Sequence, residues 1–378
     1  MNKSDFMHQL WRYKRGSISR RQFLGATGLG MASAVLATAM PELAGPRRAF
    51  AGNLGDKVAL TSWPSYHDEN NFKAFTEQTG VNIELTVFGS NEEMMAKLQA
   101  GGTGWDVFVP TNYTIPDYVS QDMLEPLDTS LIPNFDPSAY ETRFTDAGTV
   151  DGKLYAISKD WGTTGYVINS GKITEPMATW KEFWDLSMTK YSGRSMVHDY
   201  QLTTIGNALK YYGYSFNSID PKELADAEKL LLAAKPHLFG INSDYKPSLL
   251  SGDAWASVAW TGDALQLRRD MPDIRYVLGH EGGEIWSDFY AVVKGAPHRE
   301  AGYALINFLT DPAVNAKEVL FHGYPSADSR TNALLPKELL EDPIMYPAAE
   351  LLAPLEFGAA GLVTNEARAE IMARFKSA

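Results

Sequence analysis

The sequence predicts an α/β protein of two lobes in which helices flank largely parallel strands. The first observation is a β-α-β-α-β pattern over residues 58–110, for which a parallel sheet with right-handed crossovers is the simplest fold. The second is that strands and helices alternate again between residues 204 and 309. The third is length: residues 52–378 are more than one hydrophobic core usually organises.

The first 51 residues resemble a twin-arginine (Tat) export signal. Arg20 and Arg21 precede a mostly apolar run over residues 25–40, and the segment ends in Ala49-Phe50-Ala51. The run is too short and too rich in alanine and glycine for a confident membrane span. Arg47 and Arg48 place positive charge before the exit, which disfavours the general secretory route.

We therefore predict a signal peptide over residues 1–51, removed near Ala51, and a mature protein in the periplasm. The alternative for this segment is an ordinary amphipathic helix that happens to carry two arginines.

Composition limits the function classes. The chain has no cysteine, so it offers no lipid-attachment cysteine, no disulfide and no thiolate ligand or nucleophile. Residues 1–51 carry eight basic and two acidic residues, so their removal takes the formal net charge from −12 to −18. Such acidity argues against binding nucleic acid or anionic lipid and suits a cationic ligand, although it also serves solubility.

In the first half, residues 58–62 form a predicted buried strand that ends at Trp63-Pro64. Asp68 is placed to cap a helix that Gly80 closes, and a strand through Ile83 and Val87 follows. Residues 90–93 match a capping box that opens a helix through Leu98. Residues 105–110 complete the pattern with a third strand.

In the second half, the sequence predicts helices over 204–212 and 223–234 and a strand over 256–260 that Thr261-Gly262-Asp263 ends. A further strand over 289–293 leads into a helix over 298–309. In such sheets, ligands bind beyond the carboxyl ends of strands.

Residues at the predicted strand ends are aromatic and acidic. They are Trp63, Tyr66, Tyr113, Trp260 and Asp263, with Trp286 and Asp288 just before the last strand. Aromatic faces attract cations by about 0.5–2 kcal/mol each, and carboxylates bind ammonium groups through charge-assisted hydrogen bonds. Taken singly, each aromatic also fits a packing role, Asp263 a helix cap and Asp288 a turn. Together they indicate a cleft for an extended organic cation.

From about Val58 onward the chain resembles the periplasmic spermidine/putrescine-binding proteins of ABC importers. The resemblance depends on the order and spacing of short motifs rather than on any one of them. In chain order these are Trp63-Pro64-Ser65-Tyr66, residues 90–94 with Lys97-Leu98, residues 105–111, residues 161–165, residues 259–264, residues 281–288, residues 306–309 and Gly323-Tyr324-Pro325.

The resemblance implies a type II-like, two-lobed clamshell with mixed sheets flanked by helices and two hinge crossings. It places lobe 1 at residues 55–164 plus 287–332 and lobe 2 at residues 168–284 plus 337–378. It implies capture of a polyamine of the putrescine or spermidine type by lobe closure, and delivery to the transmembrane subunits of an ABC permease. We expect a monomer with no cofactor and no catalytic residue.

The resemblance also implies ligand-binding roles for individual residues. Carried over position by position, these are Trp63, Tyr66, Thr111, Tyr113, Asp199, Trp260, Asp263, Trp286, Asp288 and Tyr324. One departure concerns the residues after Asp199, where the family typically has a second acid and this chain reads Tyr200-Gln201-Leu202-Thr203. The missing carboxylate favours a shorter diamine, a modified amine or a partly zwitterionic ligand over a long triamine.

Three other functions stay open. An exported enzyme is one, but no nucleophile elbow or phosphate-binding loop is present. The histidines lack metal-ligand spacing and are predicted to be surface or turn residues: His8, His67, His198, His237, His280, His298 and His322. A binder of a different small ligand is the other class, for an amino-acid-like amine or a ferric ion, and a ferric-ion binder would use Tyr211-Tyr212. A binder of an anionic ligand would use Arg268 and Arg269, although helix packing and solvation explain these two pairs as well.

Overall fold

A mixed sheet of ten strands runs through the part of the chain that the computed structural model describes, residues 54–101 and 104–378. The predicted signal peptide, including Arg20, Arg21 and Ala51, lies outside these residues. The strands are β1 (Lys57–Ser62), β2 (Asn82–Val87), β3 (Val107–Phe108), β4 (Thr149–Val150), β5 (Lys153–Leu154), β6 (Ala156–Asn169), β7 (Ser195–Val197), β8 (Leu238–Ile241), β9 (Ala256–Trp260), β10 (Ile274–Val277), β11 (Gly283–Val292) and β12 (Leu355–Phe357).

Helices cover the sheet. They are α1 (Glu69–Thr79), α2 (Asn91–Gln99), α3 (Ile115–Ser120), α4 (Thr142–Ala147), α5 (Trp180–Met188), α6 (Gln201–Tyr211), α7 (Pro221–Ala234), α8 (Lys246–Ser251), α9 (Thr261–Asp270), α10 (Arg299–Leu309), α11 (Pro312–His322), α12 (Ser329–Asn332), α13 (Lys337–Leu340), α14 (Ala349–Leu352) and α15 (Glu366–Ser377).

The sheet runs in the order β2-β1-β3-β11-β6-β9-β7-β8, while β10 also pairs with β6, β12 with β11, and β4 with β5 in a separate ribbon. β1 pairs in parallel with both β2 and β3, which confirms the predicted arrangement of the first half. Asp68 caps α1 and Gly80 ends it with φ 78°, as predicted. Ser90 accepts the backbone N–H of Glu93 at the start of α2, but the Glu93 carboxylate reaches back to Gly89 N.

β6 and β11 are the long central strands and they pair antiparallel. The start of β6 and the end of β11 lie beside the first-half strands, because Ala291 of β11 pairs with Phe108 of β3. The end of β6 lies in the second half, paired with β9 and β10. Both strands therefore cross between the two halves of the sheet.

The structure corrects the sequence prediction at these two strands. β11 begins at Gly283, six residues before the predicted start at Phe289. Trp286 and Asp288, expected just before a strand, lie inside it. β6 was not predicted as a strand at all, because its residues are buried on both faces and give no alternation of apolar and polar residues.

Each half of the sheet has its own apolar core. On the first-half side, Met94, Phe108 and Tyr118 belong to one buried cluster. On the second-half side, α5, α6, α7 and α15 surround a larger cluster that includes Trp180 and Phe183. The exact lobe boundaries at residues 164, 168, 284 and 287 remain predictions.

None of the helices in the described residues combines the length and the apolar character that a bilayer crossing requires.

Candidate functional site

Three alternate rungs of the β6–β11 pairing carry polar and aromatic side chains on one face of the sheet. We call these six residues the floor: Asp288 opposite Asp160, Trp286 opposite Gly162, and Glu284 opposite Thr164. Because successive side chains of a strand alternate between faces, Glu284, Trp286 and Asp288 project to the same side. All three are at least nine-tenths buried.

Asp288 is a floor carboxylate whose side-chain partners are both hydroxyl groups. Its Oδ1 accepts the Thr111 hydroxyl at 2.7 Å, and its Oδ2 lies 2.8 Å from the Tyr66 hydroxyl. The same Tyr66 oxygen lies 2.6 Å from Asp160. A phenol has one proton, so it donates to one of the two acids, and the other contact needs a proton on the second acid.

The electrostatics agree with that sharing of protons. Burial, together with the neighbouring Asp160 carboxylate, raises the pKa of Asp288 to about 8. Burial also raises the pKa of Asp160, but Lys159 Nζ opposes this from 2.7 Å. That ammonium lies 3.8 Å from the centre of the Tyr66 ring and is fully buried. The chain thus supplies an ion-pair partner to Asp160, whereas among the described residues Asp288 forms no ion pair, and Lys159 lowers its pKa only through the electrostatic field.

The Trp286 ring occupies the place that a side chain on the opposite residue, Gly162, would take. A Cβ at Gly162 would stand 2.4 Å from the Trp286 ring, closer than any carbon contact allows. The Tyr324 ring meets the indole edge-on at 5.0 Å, and Tyr324 in turn approaches Gly262, where a Cβ would stand 2.6 Å from its ring. Two glycines therefore make room for the aromatic walls of the site.

Tyr66 reaches the floor from the loop after β1. Ser65 adopts φ 55°, a left-handed conformation uncommon outside glycine, which turns the chain sharply before Tyr66. A buried chain of hydrogen bonds anchors the far side of the loop: Ser62 Oγ to His67 Nε2 at 2.9 Å, and His67 Nδ1 to Glu318 at 2.9 Å. This serine, histidine and glutamate are fully enclosed, so we assign them to holding the loop in place.

The prediction that the histidines are surface or turn residues is wrong for His67, His198 and His322, which are buried. Burial lowers the pKa of all three, that of His198 to about 3, and so favours the neutral imidazole. His67 keeps its hydrogen bonds in the loop, whereas His198 and His322 pack against aromatic rings. His198 illustrates this, since its ring lies 4.2 Å from that of Trp260.

Glu284 is a floor residue that the sequence reasoning missed. It is 3% exposed and accepts hydrogen bonds from Thr164 at 2.6 Å and Thr203 at 3.3 Å. Burial raises its pKa to about 7. Glu284, Trp286 and Asp288 occupy every second position, which is the spacing of one strand face. This spacing was not used, because the strand was predicted to begin at Phe289, after all three residues.

In the second half of the sheet, Trp260 is the last residue of β9, and Asp263 lies in the first turn of α9. The Asp263 carboxylate already has partners there: Lys246 Nζ at 2.6 Å and the Tyr245 hydroxyl at 2.9 Å. The Tyr200 ring meets Trp260 edge-on at 6.0 Å, and its hydroxyl donates to Gly89 O in the first half at 2.8 Å.

The other predicted site residues lie in different surroundings. Trp63 packs on Phe88 with ring centres 4.4 Å apart. The Tyr113 hydroxyl accepts from Asn91, and its ring packs with Leu202 from the second half. Asp199 is exposed and bonded to Ser243, so the structure does not join it to the floor acids.

The alternative ligands find little support in the described residues. Residues 54–101 and 104–378 contain no group of three histidine or acidic side chains that could hold a metal ion. Tyr211 is bonded to Asp185, while Tyr212 packs against Tyr211 and Tyr214. Arg268, one of the two arginines considered for an anionic ligand, forms an ion pair with Asp342.

Comparisons with known proteins agree with this geometry. The family described as bacterial extracellular solute-binding protein matches residues 71–347. The spermidine/putrescine-binding periplasmic protein 1 of Haemophilus influenzae is 28% identical over 304 residues, 79% of this chain and 82% of the relative. The putrescine/cadaverine-binding protein of Pseudomonas aeruginosa is 30% identical over 288 residues, 73% of this chain and 80% of the relative.

Among solved structures, the spermidine/putrescine ABC transporter substrate-binding protein of Streptococcus pneumoniae superimposes with a TM-score of 0.73 and 27% identity. The match covers 85% of this chain and 99% of that protein. The likeness confirms the predicted α/β clamshell fold.

Substitution of Gly162 by alanine is expected to lower the free energy of unfolding by about 1–3 kcal/mol, because the added methyl group displaces a rigid, buried indole. Gly240→Ala is the matched control, since that strand glycine faces only the flexible end of Met196 at 3.4 Å. Urea unfolding of both variants measures the difference. Equal losses would show that Trp286 does not depend on the missing side chain.

Glu284→Gln is expected to flatten the pH dependence of stability. A carboxyl group whose pKa is raised in the folded state stabilises the fold at low pH and loses that contribution as pH rises toward 7. The stability of the wild type relative to Glu284→Gln should fall by roughly 1 kcal/mol per pH unit between pH 5 and 7 and level off above pH 8. Urea unfolding of amine-free protein across this range measures it, and a constant difference would contradict the raised pKa.

Proposed function

Because the chain belongs to the bacterial extracellular solute-binding proteins, we propose that it captures a polyamine of the putrescine or spermidine type between its lobes. It then delivers the ligand to the membrane permease of an ABC importer. The names of the relatives support this ligand class, since they are spermidine-, putrescine- and cadaverine-binding proteins.

The observation that carries the proposal is the environment of Asp288. Its carboxyl group is buried and has no cationic partner among the described residues, and the rings of Tyr66, Trp286 and Tyr324 lie around it. An ammonium group placed there would replace the proton that the raised pKa of Asp288 holds, and it would face aromatic rings. Binding is therefore coupled to proton release.

The proposed binding residues come from both sides of the cleft. They are Trp63, Tyr66, Thr111, Tyr113, Asp199, Trp260, Asp263, Trp286, Asp288 and Tyr324. Within this set, Asp288 contributes the most to affinity, because Lys246 already neutralises Asp263 and Asp199 is solvated.

Capture works by closure about the two crossing strands, as a population shift between open and closed lobes. Two contacts between the halves support this: the Tyr200 hydroxyl on Gly89 O, and Tyr113 packed with Leu202. We assign lobe 1 to residues 55–164 and 287–332 and lobe 2 to residues 168–284 and 337–378. The protein acts as a monomer that binds and releases its ligand unchanged.

A second candidate is an amine that also carries an acceptor, such as an amino-acid-like or acylated amine. The observation that favours it is that the indole N–H groups of Trp63 and Trp286 are buried without a hydrogen-bond partner in the described structure. A ligand oxygen could accept from either group.

A thermal-shift screen tests the ligand. Saturating putrescine, cadaverine, spermidine or spermine is expected to stabilise the protein, by about 2.7 kcal/mol at one hundred times the dissociation constant. γ-Aminobutyrate, N-acetylputrescine and ferric citrate are run beside them. A shift with these ligands and none with any polyamine would overturn the polyamine assignment.

Export to the periplasm by the Tat route is proposed from the sequence of residues 1–51 and the periplasmic location in the relatives' names. Replacing Arg20 and Arg21 together by lysine keeps the charge, and it is expected to hold the precursor in the cytoplasm. Cell fractionation measures this, and mass spectrometry of the exported wild type should find an amino terminus at Gly52. Continued export in a Tat-deficient host would contradict the route.

A further inference from the structure

We propose that Glu284 is the carboxylate for the second ammonium group of the ligand, so that the floor of β11 recognises two separated cationic centres. The inference rests on the proposed function and deepens it. It assigns a role to a residue outside the predicted set and states what the ligand must have at its far end.

The geometry comes from the regular spacing of β11. Glu284 and Asp288 stand on one face with Trp286 between them, and four residues of strand separate their Cα atoms by about 13 Å. Contacts across each rung establish the shared face: Glu284 with Thr164, the Trp286 ring over Gly162, and Asp288 with Tyr66 beside Asp160. One ammonium group cannot reach both acids.

Glu284 lacks a protein cation in the described structure. The groups facing it are hydroxyls, from Thr164 on β6 and Thr203 on α6. On the neighbouring β12, Glu356 pairs with Glu284 in the backbone register, but its side chain binds Lys210 Nζ at 2.5 Å. The two buried lysines nearest the floor are therefore committed elsewhere, Lys210 to Glu356 and Lys159 to Asp160.

A buried carboxylate that no cation neutralises is costly unless a proton or a ligand neutralises it. Trp286 stands between Glu284 and Asp288 on this face of β11 and is 93% buried. The flat ring suits the methylene chain of a linear amine, whose terminal ammonium groups would then reach the two acids.

This arrangement changes the expectation drawn from the residues that follow Asp199. They include no second acid, which favoured a ligand with less positive charge. In the structure, one of them, Thr203, donates to Glu284. β11 thus places a carboxylate beside the start of α6, so the charge required by a diamine or longer polyamine is present.

Titration calorimetry of the amine-free, full-length mature protein tests the assignment with putrescine, spermidine and the monoamine n-butylamine. The measured quantity is the preference for the tighter polyamine over n-butylamine. The wild type is expected to prefer the polyamine, and both Glu284→Gln and Asp288→Asn should reduce that preference at least tenfold.

Glu356→Gln is the matched control. It removes an acid at the same register of the next strand, and it should leave the preference within twofold. Urea unfolding verifies that each variant is folded, and Glu284→Asp, which keeps the charge, should retain more of the preference than Glu284→Gln. A preference unchanged by Glu284→Gln in a wild type that binds polyamines overturns this inference alone. A wild type that binds no polyamine overturns the proposed function, and the inference with it.

Discussion

The antiparallel pairing of β6 with β11 is the constraint on which the rest of the structure depends. It sets Asp160 beside Asp288, allows Trp286 to lie over Gly162 and brings Thr164 to Glu284. The same two strands join the halves of the sheet. Of the residues proposed to hold the ligand, Glu284, Trp286 and Asp288 therefore lie on β11, one of the two strands that join the halves, and the others lie outside β6 and β11. Contacts of a ligand to these three residues and the angle between the lobes would thus depend on the same pair of strands. A ligand that bridges the floor stabilises one arrangement of both.

The sequence predicted the helix ends and the loop after β1 better than the two central strands, β6 and β11. Asp68, Gly80 and Ser90 mark helix ends through local chemistry, and the structure has them in those roles. Tyr66, in the loop after β1, could be found because ligands bind beyond the ends of strands in parallel sheets. β6 could not be found, because Lys159, Asp160, Gly162 and Gly165 are poor strand residues whose burial is decided by tertiary pairing. Glu284 was lost for a related reason, since its role is visible only once β11 is known to start at Gly283.

The buried ionisable side chains at this site differ in what neutralises them. Asp160 is neutralised from within the chain by Lys159, His67 and His322 are held neutral by burial, and Asp288 and Glu284 are left with hydroxyl donors alone. Neutral donors orient a carboxylate without neutralising it. In the proposed site, two acids without a protein cation would favour a ligand with two cationic centres over a ligand with one.

The position of β12 and α15 near the carboxyl terminus has a consequence for biosynthesis. β12 completes the sheet edge beside Glu284, and α15 closes the core beneath α6. The cleft combines segments near residues 66, 111, 160, 260 and 288, so most of its contacts are distant in sequence, a topology that folds slowly. Synthesis must therefore pass Asp288 before these segments can meet. The proposed Tat route carries folded proteins, so it would allow the chain to complete this slow assembly once, in the cytoplasm.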